Sequence, residues 1–247
     1  MFNKIFYLIK YFFLRNFVRK YKISPILNYG FVLNDYIINN KNELGVLFNK
    51  YGSDKGGQIK SRYLGWFPHN YDQIYDNIFF NFKEKKFNLL EVGIGSVNQN
   101  VKSALPSHCK SGASLKAFRD YFPKAHIYGC DIDPDVLFKD KRITTFHLDQ
   151  TSKINVKKFF FKLNKDFLII IDDGLHEFYA NIVFFETAIN FLKSGGIYVI
   201  EDVNEFKMKA YYKYFSNYKK DYRINFYNIY NSKFLGRSNN LIIINKK

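Results

Sequence analysis

Cysteine and tryptophan are nearly absent from this chain of 247 residues, which has two of the first and one of the second. Two thiols, Cys109 and Cys130, exclude a disulfide scaffold and a cysteine-rich zinc site. Long apolar runs are missing too. Near the start, the longest uncharged apolar stretches cover residues 5–9 and 11–14, far short of the roughly 20 residues that span a bilayer. No longer stretch with a small-residue cleavage site is present there, so a secretory signal is not expected. Acidic residues are outnumbered, 22 against 38 Lys and Arg, which gives a formal charge of +16. A basic chain can serve nucleic acid, anionic lipid or a phosphorylated substrate. Here the lysines are scattered along the chain and accompany abundant Asn, Ile, Phe and Tyr, so the charge reads as AT-rich coding bias.

With 47% hydrophobic and 24% charged residues the chain can pack a core, and wholesale disorder is excluded. Its length suits one large domain, or one domain with an added terminal segment. Residues 1–50 read as a helical segment, and residues 51–247 as the main domain. Residues 5–21 are apolar on nearly every side, interrupted by Lys10, Arg15, Arg19 and Lys20. Such a helix either packs on protein, on this chain or on a second copy of it, or lies on an anionic membrane surface. The charges do not gather on one face, which favours packing, and Pro25 ends the element. The expected location is cytoplasmic, with peripheral membrane contact through residues 1–30 left open. Residues 43–51 read as a second short helix.

From residue 87 onward, short apolar runs alternate with helical periodicity. Strands are expected over 88–93, 126–132, 143–148, 167–171, 197–200, 222–230 and 241–245, and helices over 114–122 and 180–192, the latter stopped by Gly195-Gly196. The predicted fold class is α/β: a Rossmann-like, seven-stranded, mainly parallel sheet closed by an antiparallel hairpin, behind the N-terminal helical segment.

The chemistry-bearing residues fall at the carboxyl ends of the strands, where open α/β sheets bind ligands. The run Leu89-Leu90-Glu91-Val92-Gly93-Ile94-Gly95 takes an apolar strand into Gly-x-Gly. A dinucleotide fingerprint would place a third glycine at position 98, which is Asn98, and an acidic residue about 20 positions on. The next acidic strand end is Asp131, 36 positions after Gly95, so nicotinamide dinucleotides are disfavoured. Asp131 can accept hydrogen bonds from both hydroxyls of a ribose, and Asp149 with Gln150 can read an adenine edge. Two acidic pairs follow buried strands: Asp172-Asp173, with His176 three residues on, and Glu201-Asp202. Carboxylates grouped this way suit a hard divalent cation. Helix N-capping would explain one such pair, but not two on adjacent strands. His176 is the candidate general base. His69, His108, His126 and His147 are weaker candidates.

These segments resemble the class I S-adenosylmethionine-dependent methyltransferases, and more narrowly the metal-dependent sugar O-methyltransferases of the mycinamicin and macrocin type. The matching residues are Tyr51-Gly52-Ser53-Asp54-Lys55, Glu91 to Gly95, Gly112-Ala113-Ser114-Leu115, Asp131 to Pro134, Asp149-Gln150, Asp172 to His176 and Gly195 to Asp202. The resemblance implies that Glu91, Gly93 and Gly95 line the methionine part of S-adenosylmethionine, with Ser114 near its carboxylate. It places Asp131 on the ribose, Asp149 and Gln150 beside the adenine, Asp172 next to the cofactor site, and the Tyr51 to Lys55 segment across the pocket. Asp173, Glu201 and Asp202 would bind a magnesium-like ion, with Asp173 and His176 as the catalytic pair. The implied substrate is a sugar, a sugar nucleotide or a phosphoryl-type oxygen, in surface-polysaccharide (capsule or lipooligosaccharide) or related glycoside synthesis.

Two features depart from the pattern. Leu175 stands where many relatives have Ser, and residues 96–111 form a longer stretch that reads as a lid. A nucleic-acid methyltransferase on the same fold is the competing enzyme reading. Its usual Asn/Asp-Pro-Pro-aromatic signature would fall on Asp172-Asp173-Gly174-Leu175, which lacks proline, so no nucleic-acid partner is favoured. A third reading is a non-catalytic scaffold that docks on a membrane through residues 1–30.

Overall fold

The structure of the protein, a computed structural model, describes residues 31–33, 42–57, 69–105, 109–229 and 239–247. The helix expected over 5–21, its end at Pro25 and the partner or membrane surface assigned to residues 1–30 lie outside the described residues. Among the described residues no helix is long and apolar enough to cross a membrane.

Among the described residues nine strands form one sheet: β1 (Phe31–Leu33), β2 (Asn88–Val92), β3 (His126–Asp131), β4 (Lys139–Asp140), β5 (Ile143–His147), β6 (Phe167–Asp172), β7 (Leu192–Val203), β8 (Tyr222–Ile229) and β9 (Asn240–Lys246). Their spatial order is β1-β8-β9-β7-β6-β2-β3-β5-β4. All seven strands expected from the sequence are present, and β1 and β4 are short additions at the two borders. The centre (β5, β3, β2, β6, β7) is parallel, and β9 lies antiparallel between β7 and β8 as the closing hairpin.

Period-2 alternation sends neighbouring side chains to opposite faces of the sheet. Leu89, Ile169, Ile171 and Val199 enter one core, and Leu90, Ile170, Tyr198 and Ile200 enter the other. The first core is covered by α1 (Glu43–Tyr51), α2 (Asp72–Phe79) and α3 (Ala113–Tyr121), with Phe48 of α1 edge-on to Phe118 of α3 at 5.4 Å. The second is covered by α4 (Lys153–Leu163), α5 (Phe178–Ala188) and α6 (Met208–Phe215). Both faces of the central strands are therefore buried, which is why they read as continuous apolar runs.

Local chemistry fixes the ends of the helices. Asn42 accepts from the Gly45 amide at 2.6 Å, and Gly52, at φ 82°, closes α1 in the left-handed conformation. Asp72 then ties this region together: its Oδ2 accepts from Asn42 and its Oδ1 from the Gly57 amide.

One expectation is corrected. The helix over 180–192 is not stopped by Gly195-Gly196: α5 ends at Ala188, a 3-10 turn covers Ile189–Phe191, and both glycines lie inside β7. A Cβ on Gly196 would come within 2.9 Å of the Leu168 carbonyl. The glycine thus permits the close strand contact at the register shift between β6 and β7.

Candidate active site

The carboxyl ends of β2, β3, β5, β6 and β7 surround a cleft of about 340 Å³. At its base β2 leaves the sheet through Gly93 and Gly95, both left-handed, at φ 83° and 87°. A Cβ on Gly93 would stand 2.0 Å from the Asp173 carbonyl oxygen, so the β2 and β6 turns approach as closely as backbone allows. The Ile94 amide between the glycines donates to Asp131 Oδ2 at 2.9 Å, and the Asp133 amide to Asp131 Oδ1 at 3.0 Å. Asp131 also lines the cleft, where a carboxylate can accept from a ligand's hydroxyls. The stretch after Gly95 folds back through the Leu105 amide to the Ser96 carbonyl, at 2.6 Å. Asn100, Val101, Lys102, Ser103 and Leu105 then form one wall of the cleft.

The acidic side is built by β6 and β7. One ligand atom from each of Asp173, His176 and Asp202 falls within 4.8 Å of the others. His176 Nδ1 is 4.0 Å from Asp173 Oδ1, and His176 Nε2 is 3.9 Å from Asp202 Oδ2. His176 Nδ1 is buried without a hydrogen-bond partner among the described residues. His176 and Asp202 both hold left-handed backbone, at φ 57° and 51°, and Asp202 sits in the register shift of β7 against β9. Such bulges re-aim side chains near active sites.

Behind this rim lies a buried ionic cluster. The Lys55 ammonium contacts Asp173 Oδ2 and Glu201 Oε2, both at 2.5 Å, and lies 3.2 Å from Glu91 Oε1. Glu201 Oε1 accepts from Tyr75 at 2.5 Å, and Glu91 Oε2 from Ser114 at 2.8 Å. Burial would lower the Lys55 pKa, but Asp173, Glu201 and Glu91 outweigh it and hold the ammonium well above its ordinary value. Burial pushes Glu91 up to about 7, and raises Asp173 and Glu201 despite the attraction of Lys55. His69 stacks on Tyr71 at 5.0 Å and lies 3.3 Å from Asp202 and 3.7 Å from Asp54. Burial opposes its protonation, yet Asp202 and Asp54 raise its pKa to about 10. Tyr71 donates to Asp202 Oδ1 at 2.6 Å.

No protein-family model matches the chain. Among curated proteins it is 31% identical over 161 residues to the 8-demethyl-8-(2-methoxy-alpha-L-rhamnosyl)-tetracenomycin-C 3'-O-methyltransferase of Streptomyces olivaceus, covering 65% of this chain and 37% of that protein. It is 30% identical over 167 residues to the mycinamicin VI 2''-O-methyltransferase of Micromonospora griseorubida, covering 66% of this chain and 36% of that protein. The chain therefore spans little more than a third of the length of these relatives. Among solved structures it superposes on the MycE methyltransferase of the mycinamycin biosynthetic pathway, in complex with Mg and SAH. The TM-score is 0.60 at 21% identity, covering 84% of this chain and 55% of that one. The chain has the fold of that methyltransferase and is similar to sugar O-methyltransferases over about two thirds of its length.

In this methyltransferase fold, Gly93, Gly95, Asp131, Asp149 and Gln150 line the cleft, as do Asp173, His176, Glu201 and Asp202. The other sequence-selected residues lie elsewhere. Glu91, Ser114 and Lys55 are buried and reach the cleft through Asp173 and Glu201. Asp172 is fully buried, accepts from Gln150 and from Tyr198, and is pushed by burial up to about 6. Gln150 in turn accepts from the Leu175 amide at 3.0 Å, which fixes the turn before His176. The Tyr51 hydroxyl faces α3, where it bonds Asp120 and receives Arg119 at 3.1 Å. Sequence reasoning names Asp54 only within the Tyr51 to Lys55 segment and ranks His69 low, though both line the cleft, and it gives no role to Tyr71 or Tyr75. Their only signal is a tyrosine repeat at helical spacing, Tyr71 and Tyr75, which core packing explains equally well.

Proposed function

We propose that this chain transfers the methyl group of S-adenosylmethionine to a hydroxyl of a sugar or sugar nucleotide, assisted by a divalent cation such as Mg. One observation carries the reading: a single cleft holds both a glycine-edged, Asp131-bearing nucleoside wall and the Asp173, His176, Asp202 group. Support comes from the homologues, which are named as O-methyltransferases of glycosylated compounds.

The residues fit both absent groups. Glycines whose Cβ positions would be filled by neighbouring atoms leave room only for backbone along the nucleoside wall. The acidic side groups Glu91, Asp173 and Glu201 around the Lys55 ammonium, with Asp202 beside His176 and His69, and burial raises the pKa of the first three. Oxygen donors grouped in this way suit a hard dication.

When bound, S-adenosylmethionine supplies a methyl activated by its sulfonium, and a dication lowers the pKa of an acceptor hydroxyl. The chain's residues do the rest. Gly93 and Gly95 admit the methionine portion, Asp131 holds the ribose hydroxyls, and Asp149 with Gln150 borders the adenine. Asp173 and Asp202 hold the cation, with Glu201 beside them. His176 takes the acceptor proton on Nε2, while Asp173 beside Nδ1 stabilises the imidazolium. Glu91, Ser114, Lys55 and Asp172 act from behind, by fixing the cleft-lining carboxylates and the Gln150 amide. We place the reaction in surface-polysaccharide (capsule or lipooligosaccharide) or related glycoside synthesis, in the cytoplasm.

The test is methyl transfer to candidate sugar nucleotides, with calorimetry for S-adenosylhomocysteine. Chelation, or Asp173→Asn, abolishes transfer and leaves cofactor binding in place. Full activity without a dication rejects the mechanism.

A further inference from the structure

The imidazole of His176 is not held by a tight bond of its own. Its nitrogens stand 4.0 Å from Asp173 Oδ1 and 3.9 Å from Asp202 Oδ2, beyond hydrogen-bond reach. Its aim therefore comes from its backbone, which turns left-handed at φ 57°. That turn is fastened by Gln150, a buried side chain that follows β5. Gln150 Oε1 accepts from the Leu175 amide at 3.0 Å, and a Cβ on Gly174 would stand 2.2 Å from the same oxygen. The other end of the Gln150 amide, Nε2, donates to Asp172 Oδ1. Asp172 is fully buried, and its Oδ2 accepts from the Tyr198 hydroxyl at 3.1 Å. These partners fix which way the amide points. Reversed, it would set N–H against N–H at Leu175 and oxygen against oxygen at Asp172. The edge of Gln150 that could pair with an adenine is thus the edge the chain itself uses. Turning that edge to a nucleoside would break both bonds and leave a buried carboxylate short of a donor.

We propose that Gln150 is a positioning residue for His176 and does not read the adenine. Asp172 sets the Gln150 amide, and the amide sets the turn that aims the imidazole. This rests on the methyltransferase reading above and changes the part given there to Gln150. The side chain borders the cleft, but its hydrogen bonds serve the reacting group and not the cofactor. The link joins three points far apart in sequence: the end of β6, the residue after Asp149, and the turn before His176.

Two measurements on the full-length chain separate the roles: calorimetry for S-adenosylhomocysteine, and kcat for methyl transfer at saturating cofactor to a sugar nucleotide that wild type accepts. Gln150→Met keeps the length of the side chain and removes both polar ends. Its kcat falls about 10- to 100-fold, as for a reacting group displaced by up to ~1 Å, while its affinity for S-adenosylhomocysteine is retained. An adenine reader gives the reverse, a weakened Kd with unchanged kcat, and that result overturns the proposal. Gln150→Glu tests the polarity of the pair. It keeps an acceptor for Leu175 but sets a second carboxylate against Asp172, and kcat falls. Adding Asp172→Asn gives the new carboxylate a donor, keeps an acceptor for Tyr198, and restores kcat. A role in packing alone predicts no such rescue. A double variant that fails to recover kcat overturns the proposal and leaves the methyltransferase reading intact. If thermal melting shows that Gln150→Met does not fold, the Gln150→Glu and Asp172→Asn pair decides on the same terms. Wild type that transfers methyl to no sugar nucleotide overturns the reading above, and this inference with it.

Discussion

A single methyl group at Gly93 tests how tightly the two halves of the cleft are joined. In Gly93→Ala the new Cβ would stand 2.0 Å from the Asp173 carbonyl oxygen, 2.5 Å from its carbonyl carbon and 2.7 Å from Gly174 Cα. Ordinary non-bonded contact for carbon begins near ~3.5 Å, so the Asp173-Gly174 turn has to withdraw by more than about 1 Å. The left-handed backbone, at φ 83°, adds a second cost, about 1–2 kcal/mol for any residue with a Cβ. Gly195→Ala separates the two effects. Gly195 is also left-handed, at φ 73°, but a Cβ there meets no atom within 4 Å. It carries the strain alone, expected as a fall in Tm of about 2–8 °C for a chain of this size. Gly93→Ala carries the strain and moves Asp173. A reacting group displaced by about 1 Å can cost ~100-fold in rate, or about 2.7 kcal/mol of barrier. The assay is kcat/KM for methyl transfer with Tm measured in parallel. Equal activity in the two variants, at comparable stability, would refute the argument that the β2 turn sets the position of Asp173.

Two further outcomes follow from the buried polar groups. Tyr75→Phe removes the hydroxyl that donates to Glu201 at 2.5 Å. Losing a hydrogen bond to a buried charged group costs about 1.5–3 kcal/mol, so chemical denaturation should show a lower midpoint with an unchanged slope; an unshifted midpoint contradicts the packing described. The pKa of His69 is about 10 in the fold and near 6.5 in the unfolded chain. Its contribution is fully present below pH 6.5 and is lost as pH rises through 10, on the order of 4–5 kcal/mol in all. In urea melts with chelator across that range, wild type loses stability more steeply than His69→Asn, and parallel pH profiles would show that the imidazolium is not held as described.

The sheet and the acidic rim were legible because both are written locally. A strand buried on both faces has to be an unbroken apolar run, and the residue that ends it has to sit at the sheet edge. Asp131, Asp149, Asp173 and Glu201 could therefore be placed before any contact was known. The ionic cluster behind them was not legible. Lys55 meets Glu201 across 146 positions, and Tyr75 meets it across 126, and no periodicity encodes such a pairing. The helices α2, α4 and α6 also escaped notice. In α4 the run Phe159-Phe160-Phe161 puts rings on every side, with Phe160 buried and Phe161 73% exposed, so the helical stripe is blurred. The glycine pair at 195–196 misled because glycine stops helices more often than it eases strand contacts.

Phe31 pairs with Tyr227, about two hundred positions later in the chain. That seam cannot close until most of the polypeptide has left the ribosome, roughly 10–40 s after residue 31 at ordinary synthesis rates. Until then β8 does not exist to receive it. The parallel centre, complete by Val203, can thus pair before this border closes.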